Sequence, residues 1–186
     1  MKLKNGETLL NREDIMSIPR EKLPMIGLTD NIRAFFSTAI KIHEKGCYNH
    51  LVWLIHPEVI ASQNMLFEAQ SPREYLDKFR IKLWWCPTWT MEQRRKIIDA
   101  IDADLVKPWY KRMYDYLAII GQGIGADWIQ TPGIDICSDK GKYLELVDLY
   151  YDLKHPDPEE VNHWLMQQRT PDNKFRYEVY GRYIPD

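Results

Sequence analysis

The stretch from His50 to Cys86 constrains the fold more than any other part of the chain. Short apolar runs rich in branched and aromatic residues recur there between turn residues, a spacing that belongs to neighbouring strands of a sheet. His50–Ile55 reads as a buried strand, continuous in its apolar character. His56-Pro57 is a break. Val59–Ser62 and Met65–Ala69 read as short strands on either side of Gln63-Asn64, and Arg80–Trp85 as a further one. If 50–55 and 65–69 pair antiparallel through the region near residue 59, His50 falls roughly opposite Glu68, with Gln70 on the same face two residues on.

Helix signals surround this block. Asn11 is placed to cap a short helix ending before Pro19. Residues 30–44 carry Ile32, Phe35, Phe36, Ala39, Ile40 and Ile42 near helical spacing, with Gly46 as a stop. Ser71-Pro72-Arg73-Glu74, Thr90-Met91-Glu92-Gln93 and Asp157-Pro158-Glu159-Glu160 each combine a capping side chain with an acid or amide three residues later. The second opens a helix with Ile97, Ile98, Ile101 and Leu105 on one stripe, and the third a helix with Val161, Trp164 and Leu165 inside. Residues 109–120 and 135–150 also read as helical, 2–10 as a turn or hairpin around Asn5-Gly6, and Phe175–Ile184 as a late strand. Strands and helices segregate along the chain, which implies an α+β fold rather than a doubly wound sheet.

Several function classes are disfavoured. The net charge of −2 lacks the basic footprint of a nucleic-acid binder. Arg94-Arg95-Lys96 reads as the solvated face of a helix. Three Cys, at 47, 86 and 137, do not make a disulfide framework. The N-terminus has no apolar signal core and no run reaches membrane-spanning length, so a cytoplasmic location is expected, with a phage particle as a second compatible setting. His43, Cys47 and His50 have a spacing zinc accepts, but without a fourth ligand nearby a metal is not expected, nor is a cofactor. Gly121-Gln122-Gly123-Ile124-Gly125 lacks the strand and Lys of a phosphate loop and reads as a packing or flexing loop. Trp84, Trp85 and Trp89 fit either a groove or a core.

Cys137 is the candidate for chemistry. It stands where a loop turns into a helix, and a helix start favours thiolate over thiol. Alone, a cysteine is more often a small buried hydrophobe. A nucleophile also needs a base and a group that orients the base. His50, at the entrance of its strand, is the candidate base, and Glu68, with Gln70 second, the orienting residue. The backbone N–H of Cys137 would contribute to an oxyanion hole, with the second donor unassigned.

Four segments carry these residues in order: Tyr48-Asn49-His50-Leu51-Val52, Leu66-Phe67-Glu68-Ala69, Tyr114-Asp115-Tyr116 and Ile136-Cys137-Ser138. The set resembles the permuted papain-fold cysteine hydrolases, the YiiX-like relatives of NlpC-type peptidases, over roughly residues 24–150. Asn49 stands where that family has Ser, and Asp139-Lys140-Gly141 follows the Cys-Ser pair in place of an acidic and an aliphatic residue. The resemblance implies Cys137 as nucleophile, His50 as base, Glu68 as orienting residue, and Tyr114 and Asp115 as shapers of the cleft. It also implies a small antiparallel sheet or half-barrel packed against helices, in a single domain with an extension (1–23), a catalytic core (24–150) and a C-terminal helix and tail (151–186). The implied activity is hydrolysis of an amide or ester through an acyl-enzyme. Peptide, peptidoglycan and acyl substrates all remain open, as does the oligomeric state. The rival expectation is a non-catalytic structural or assembly module on the same fold, for example in a phage particle.

Overall fold

The computed structural model describes residues 8–31, 48, 50–113, 115, 137–147, 153 and 156–185. Its centre is a seven-stranded open sheet in the order β1-β7-β6-β2-β3-β4-β5. The strands are β1 (Leu9–Leu10), β2 (Met25–Asn31), β3 (His50–His56), β4 (Val59–Gln63), β5 (Phe67–Gln70), β6 (Phe79–Trp85) and β7 (Glu178–Tyr183). Every pairing is antiparallel except the parallel pair β1 and β7. The sheet is larger than the small sheet or half-barrel expected, because segments from both ends of the chain extend it.

Helices cover both faces. Ile26, Leu28, Leu51, Trp53 and Trp84 point to one face, where they pack with α3 (Met91–Leu105), a 3-10 helix (Ser138–Leu146) and α4 (Pro158–Gln167). Met25, Val52, Leu54, Ile60, Ile81 and Leu83 point to the other, under α1 (Arg12–Met16) and α2 (Pro72–Leu76). A strand covered on both sides has no solvent face, which is why residues 50–55 show no polar alternation and are all buried. Gly27 sits at the tightest point of β2: a Cβ there would come within 2.6 Å of Val52 and 2.7 Å of Ile81.

Local chemistry explains the elements that were legible. Asn11, Thr90 and Asp157 each form a full capping box, with Asp14, Gln93 and Glu160 closing the reciprocal bond. Pro72 starts α2, but the Ser71 side chain makes no capping bond. Other expectations are corrected. Asp30 and Asn31 end a strand rather than begin a helix; residues 32–47 lie outside the described residues. Trp109–Lys111 is one 3-10 turn, followed by a bridge from Met113 to Leu66. Arg94 is buried, unlike Arg95 and Lys96, because three- and seven-residue steps put it on the stripe of Ile97 and Ile101. Its guanidinium donates to the carbonyls of Lys22, Leu23 and Cys86, at 3.1, 3.4 and 2.7 Å. The Asn5-Gly6 turn and the Gly121–Gly125 loop lie outside the described residues. No described helix is long and apolar enough to cross a membrane.

Candidate functional site

His50 opens β3 and is 7% exposed. Its register partner is Thr29 of β2, not Glu68. Paired residues on neighbouring antiparallel strands share a face, so the imidazole and the Thr29 hydroxyl lie side by side under α2. Phe79 stacks on His50, with centroids 6.5 Å apart, and Tyr75 stacks on Phe79 at 4.2 Å. The Tyr75 hydroxyl returns to Thr29 Oγ1 at 3.0 Å. Imidazole, phenyl, phenol and hydroxyl therefore form one buried corner at the start of β3.

The electrostatics of that corner follow from burial. His50 Nε2 has no hydrogen-bond partner among the described residues. Desolvation lowers the imidazole from 6.5 to about 4, so it is neutral at pH 7. Burial pushes the Tyr75 phenol up, its bond to Thr29 opposes this, and the charge of Cys137 adds to the rise. The phenol is thus protonated across the physiological range, and Cys137 lies within electrostatic range of it.

Glu68 does not orient His50. Strand β4 runs between β3 and β5, and Glu68 pairs with Ser62, which pairs with Val52. Two strand spacings, about 10 Å, separate the backbones of β3 and β5, and a further two-residue step along the strand parts His50 from Glu68. Gln70 Nε2 donates to Glu68 Oε1 at 2.6 Å, so the two candidates for one role bind each other. Both line a polar cleft of about 480 Å³ between β5 and α2, together with Asn64, Glu74, Tyr75 and Phe79. The far wall of this cleft, formed by Tyr75 and Phe79, belongs to the His50 corner.

Cys137 is 3% exposed and immediately precedes the Ser138–Leu146 helix. That helix is 3-10, with Lys140 N–H bonding the Cys137 carbonyl at 3.2 Å, rather than the α-helix expected. Gly141 disfavours α-helical winding, and the Lys140 carbonyl is bonded sideways by Trp53 Nε1 at 3.0 Å. This indole bond anchors the cysteine segment to β3, the strand of His50. A second anchor comes from α3. Asp104 Oδ2 accepts from the Tyr143 hydroxyl at 2.6 Å and lies 3.5 Å from Lys140 Nζ, and Lys107 pairs with its other oxygen. Burial raises the Asp104 carboxyl, but the bonds from Lys107 and Tyr143 and the charge of Lys140 prevail and hold it below its ordinary range.

Asp115 is buried; Tyr114, the Tyr116 of the same motif, His43 and Cys47 lie outside the described residues. Cys86 is buried with Sγ 3.2 Å from the Thr88 hydroxyl. Trp84 and Trp89 are core residues rather than groove walls. Among the described residues no group of His, Cys, Asp and Glu is placed to hold a metal ion. Sequence reasoning missed Thr29, Tyr75 and Phe79. Pro24, Gly27 and Asp30 disguise β2 as loop, and the one available signal for the other two was the four-residue spacing of Tyr75 and Phe79.

Fold and site together define an α+β protein with a mixed, mostly antiparallel open sheet between helices. No family model matches the chain, and no curated protein or solved structure matches it either.

Proposed function

We propose that the protein is a thiol hydrolase that cleaves an amide or ester bond through Cys137 and His50, on a permuted papain-like arrangement of a cysteine-bearing helix against a histidine-bearing strand. One observation carries this reading: the buried His50 Nε2 keeps an unused bonding position among the described residues, in a corner whose Tyr75 lies within electrostatic range of Cys137. A buried polar atom without a partner calls for an explanation, and a catalytic role is one. His50, neutral at rest, takes the thiol proton as Sγ attacks the carbonyl carbon. It returns that proton to the leaving amine or alcohol as the C–S thioester forms. Water then hydrolyses the thioester and restores the thiol. The cleft lined by Glu68 and Gln70 receives the substrate, whether peptide, peptidoglycan or acyl ester.

A second reading, a non-catalytic module, draws on a different observation. Cys137 and His50 are both nearly closed to solvent, and an imidazole lowered to about 4 is a weak base for a thiol. Iodoacetamide alkylation read per cysteine by mass spectrometry, across pH, separates the two. The hydrolase reading expects Cys137 to react well below pH 8, ahead of Cys86, and to lose that advantage in His50→Ala. An ordinary thiol profile near about 8.5 in both proteins gives the second reading its place.

A further inference from the structure

Arg94 carries a charge that the described residues do not neutralise. It is 4% exposed. A guanidinium has five N–H groups, and the bonds to the carbonyls of Lys22, Leu23 and Cys86 come from Nη1 and Nη2. Nε–H makes no bond among the described residues, and no carboxylate among them pairs with the side chain. Buried charges are normally met by an opposite charge, as Asp104 is by Lys107 and Lys140. Burial pushes the Arg94 guanidinium down from its ordinary value, yet a guanidinium stays charged at any pH a protein meets.

Arg94 also lines an open cavity of about 480 Å³ where the start of α3 meets segment 20–23. Arg20 and Arg95, both exposed, line it too. Arg95 meets Asp99 at 3.7 Å in solvent, a contact worth little. The acidic residue of the lining, Glu92, lies 3.0 Å from Lys96. Leu23, Met91 and Ile98 complete the wall, and Met91 is 66% exposed although apolar. Three cations thus share a cavity with an apolar wall, at the positive end of a 15-residue helix.

We infer that this cavity binds a small organic anion, with a carboxylate or phosphate head on an aliphatic body. The head sits against Arg94, with Nε–H as its donor, and Arg20 and Arg95 add charge from the solvent side. That attraction acts through space and is stronger beside a low-dielectric wall than in open water. The aliphatic body covers Leu23, Met91 and Ile98 and removes their apolar surface from water. An inorganic anion would leave the wall wet, and a neutral alcohol would leave the guanidinium uncompensated. Binding here involves no covalent step and does not depend on the chemistry of Cys137.

Titration of the isotope-labelled protein with octanoate, octyl phosphate, inorganic phosphate and octanol tests this, read by NMR at the Arg94 Nε–H and the backbone amides of Met91 and Ile98. The two amphiphilic anions are expected to shift these signals saturably, with octanol and inorganic phosphate about tenfold weaker or more. Met91→Glu adds a carboxylate to the wall at the first helical position, where an acid favours the helix. It should keep its urea midpoint and bind octanoate about tenfold more weakly. Arg20→Ala combined with Arg95→Ala should weaken binding as much, and Met91→Leu should not weaken it. Octanoate ahead of octyl phosphate would assign the head as a carboxylate and the reverse order as a phosphate, and either supports the site. Octanol binding as well as octanoate would make the cavity merely apolar and overturn the inference. Inorganic phosphate binding as well as octyl phosphate would overturn the amphiphilic ligand class. No saturable shift at millimolar concentration, or shifts that persist unchanged in Met91→Glu, would overturn the site itself.

Discussion

Asp104 and His50 are both buried ionisable groups next to elements that carry Cys137, yet they are built in opposite ways. Asp104 is met by Tyr143, Lys107 and Lys140, and these partners outweigh the cost of burial to keep it charged. His50 is enclosed by the rings of Phe79 and, beyond it, Tyr75, without a charged partner among the described residues, and burial makes it neutral. The first arrangement fixes one protonation state and one geometry, tying the 138–146 helix to α3. The second leaves Nε2 without a hydrogen-bond partner among the described residues and a protonation state that a new neighbour could change. Polar groups that hold a fold together are paired within it.

The strongest way to break this comparison is to remove the paired group. Asp104→Ala leaves the buried Lys140 ammonium and the Tyr143 hydroxyl without their shared acceptor and is expected to cost about 3–5 kcal/mol in urea unfolding. A loss under about 1 kcal/mol would mean that the junction contributes little.

Next in size is the pH dependence of stability. The folded His50 titrates near 4 and the unfolded one near 6.5. Between those values the unfolded chain binds the extra proton, so stability falls as pH drops through this window and is unaffected by His50 above it. At about 1.4 kcal/mol per unit the loss amounts to about 3 kcal/mol, and His50→Phe should abolish that part of the slope. Asp104 acts in a lower window: its folded value lies under the ordinary 3.8, so its contribution is present above that value and is lost as pH falls below it. Unfolding curves of wild type and His50→Phe at pH 7, 5 and 3.5 would separate the two groups. Parallel slopes between pH 6.5 and 4 would contradict a neutral buried His50.

Thr29→Val tests the corner itself, since it removes one hydroxyl from a buried pair and strands the Tyr75 oxygen. A loss of about 1–2 kcal/mol is expected, recovered in Thr29→Ser. The smallest effect belongs to Glu68→Gln. With β4 between Glu68 and His50, the substitution should change stability by less than about 0.5 kcal/mol and leave the NMR titration of the imidazole where it was. A clear movement of that titration would restore Glu68 as the orienting residue.

How much of this was legible in the sequence depended on how local the determinants were. Asn11, Thr90 and Asp157 act on backbone three residues away, so their boxes could be read from spacing alone. His50–His56 announced itself because burial on both faces leaves a continuous apolar run. Arg94 misled because a cation that satisfies three backbone carbonyls from two separate segments looks, in one dimension, like any surface charge. The pairing of His50 failed for a related reason. Composition identifies the strands, but not that β2, disguised by Pro24 and Gly27, inserts between β3 and β6.

The sequence by itself determined the α+β class, the capped helix starts and the strand at His50, since each follows from side-chain chemistry within a few residues. Tertiary structure alone decided what surrounds His50 and Cys137. Register set Thr29 beside His50 and set Glu68 two strands away. Packing of the five-residue α2 brought Tyr75 over Thr29, and the Trp53 and Asp104 bonds anchored the cysteine segment. Those bonds span 39 to 87 residues of chain, where no local propensity acts and strand order and helix packing determine which atoms meet.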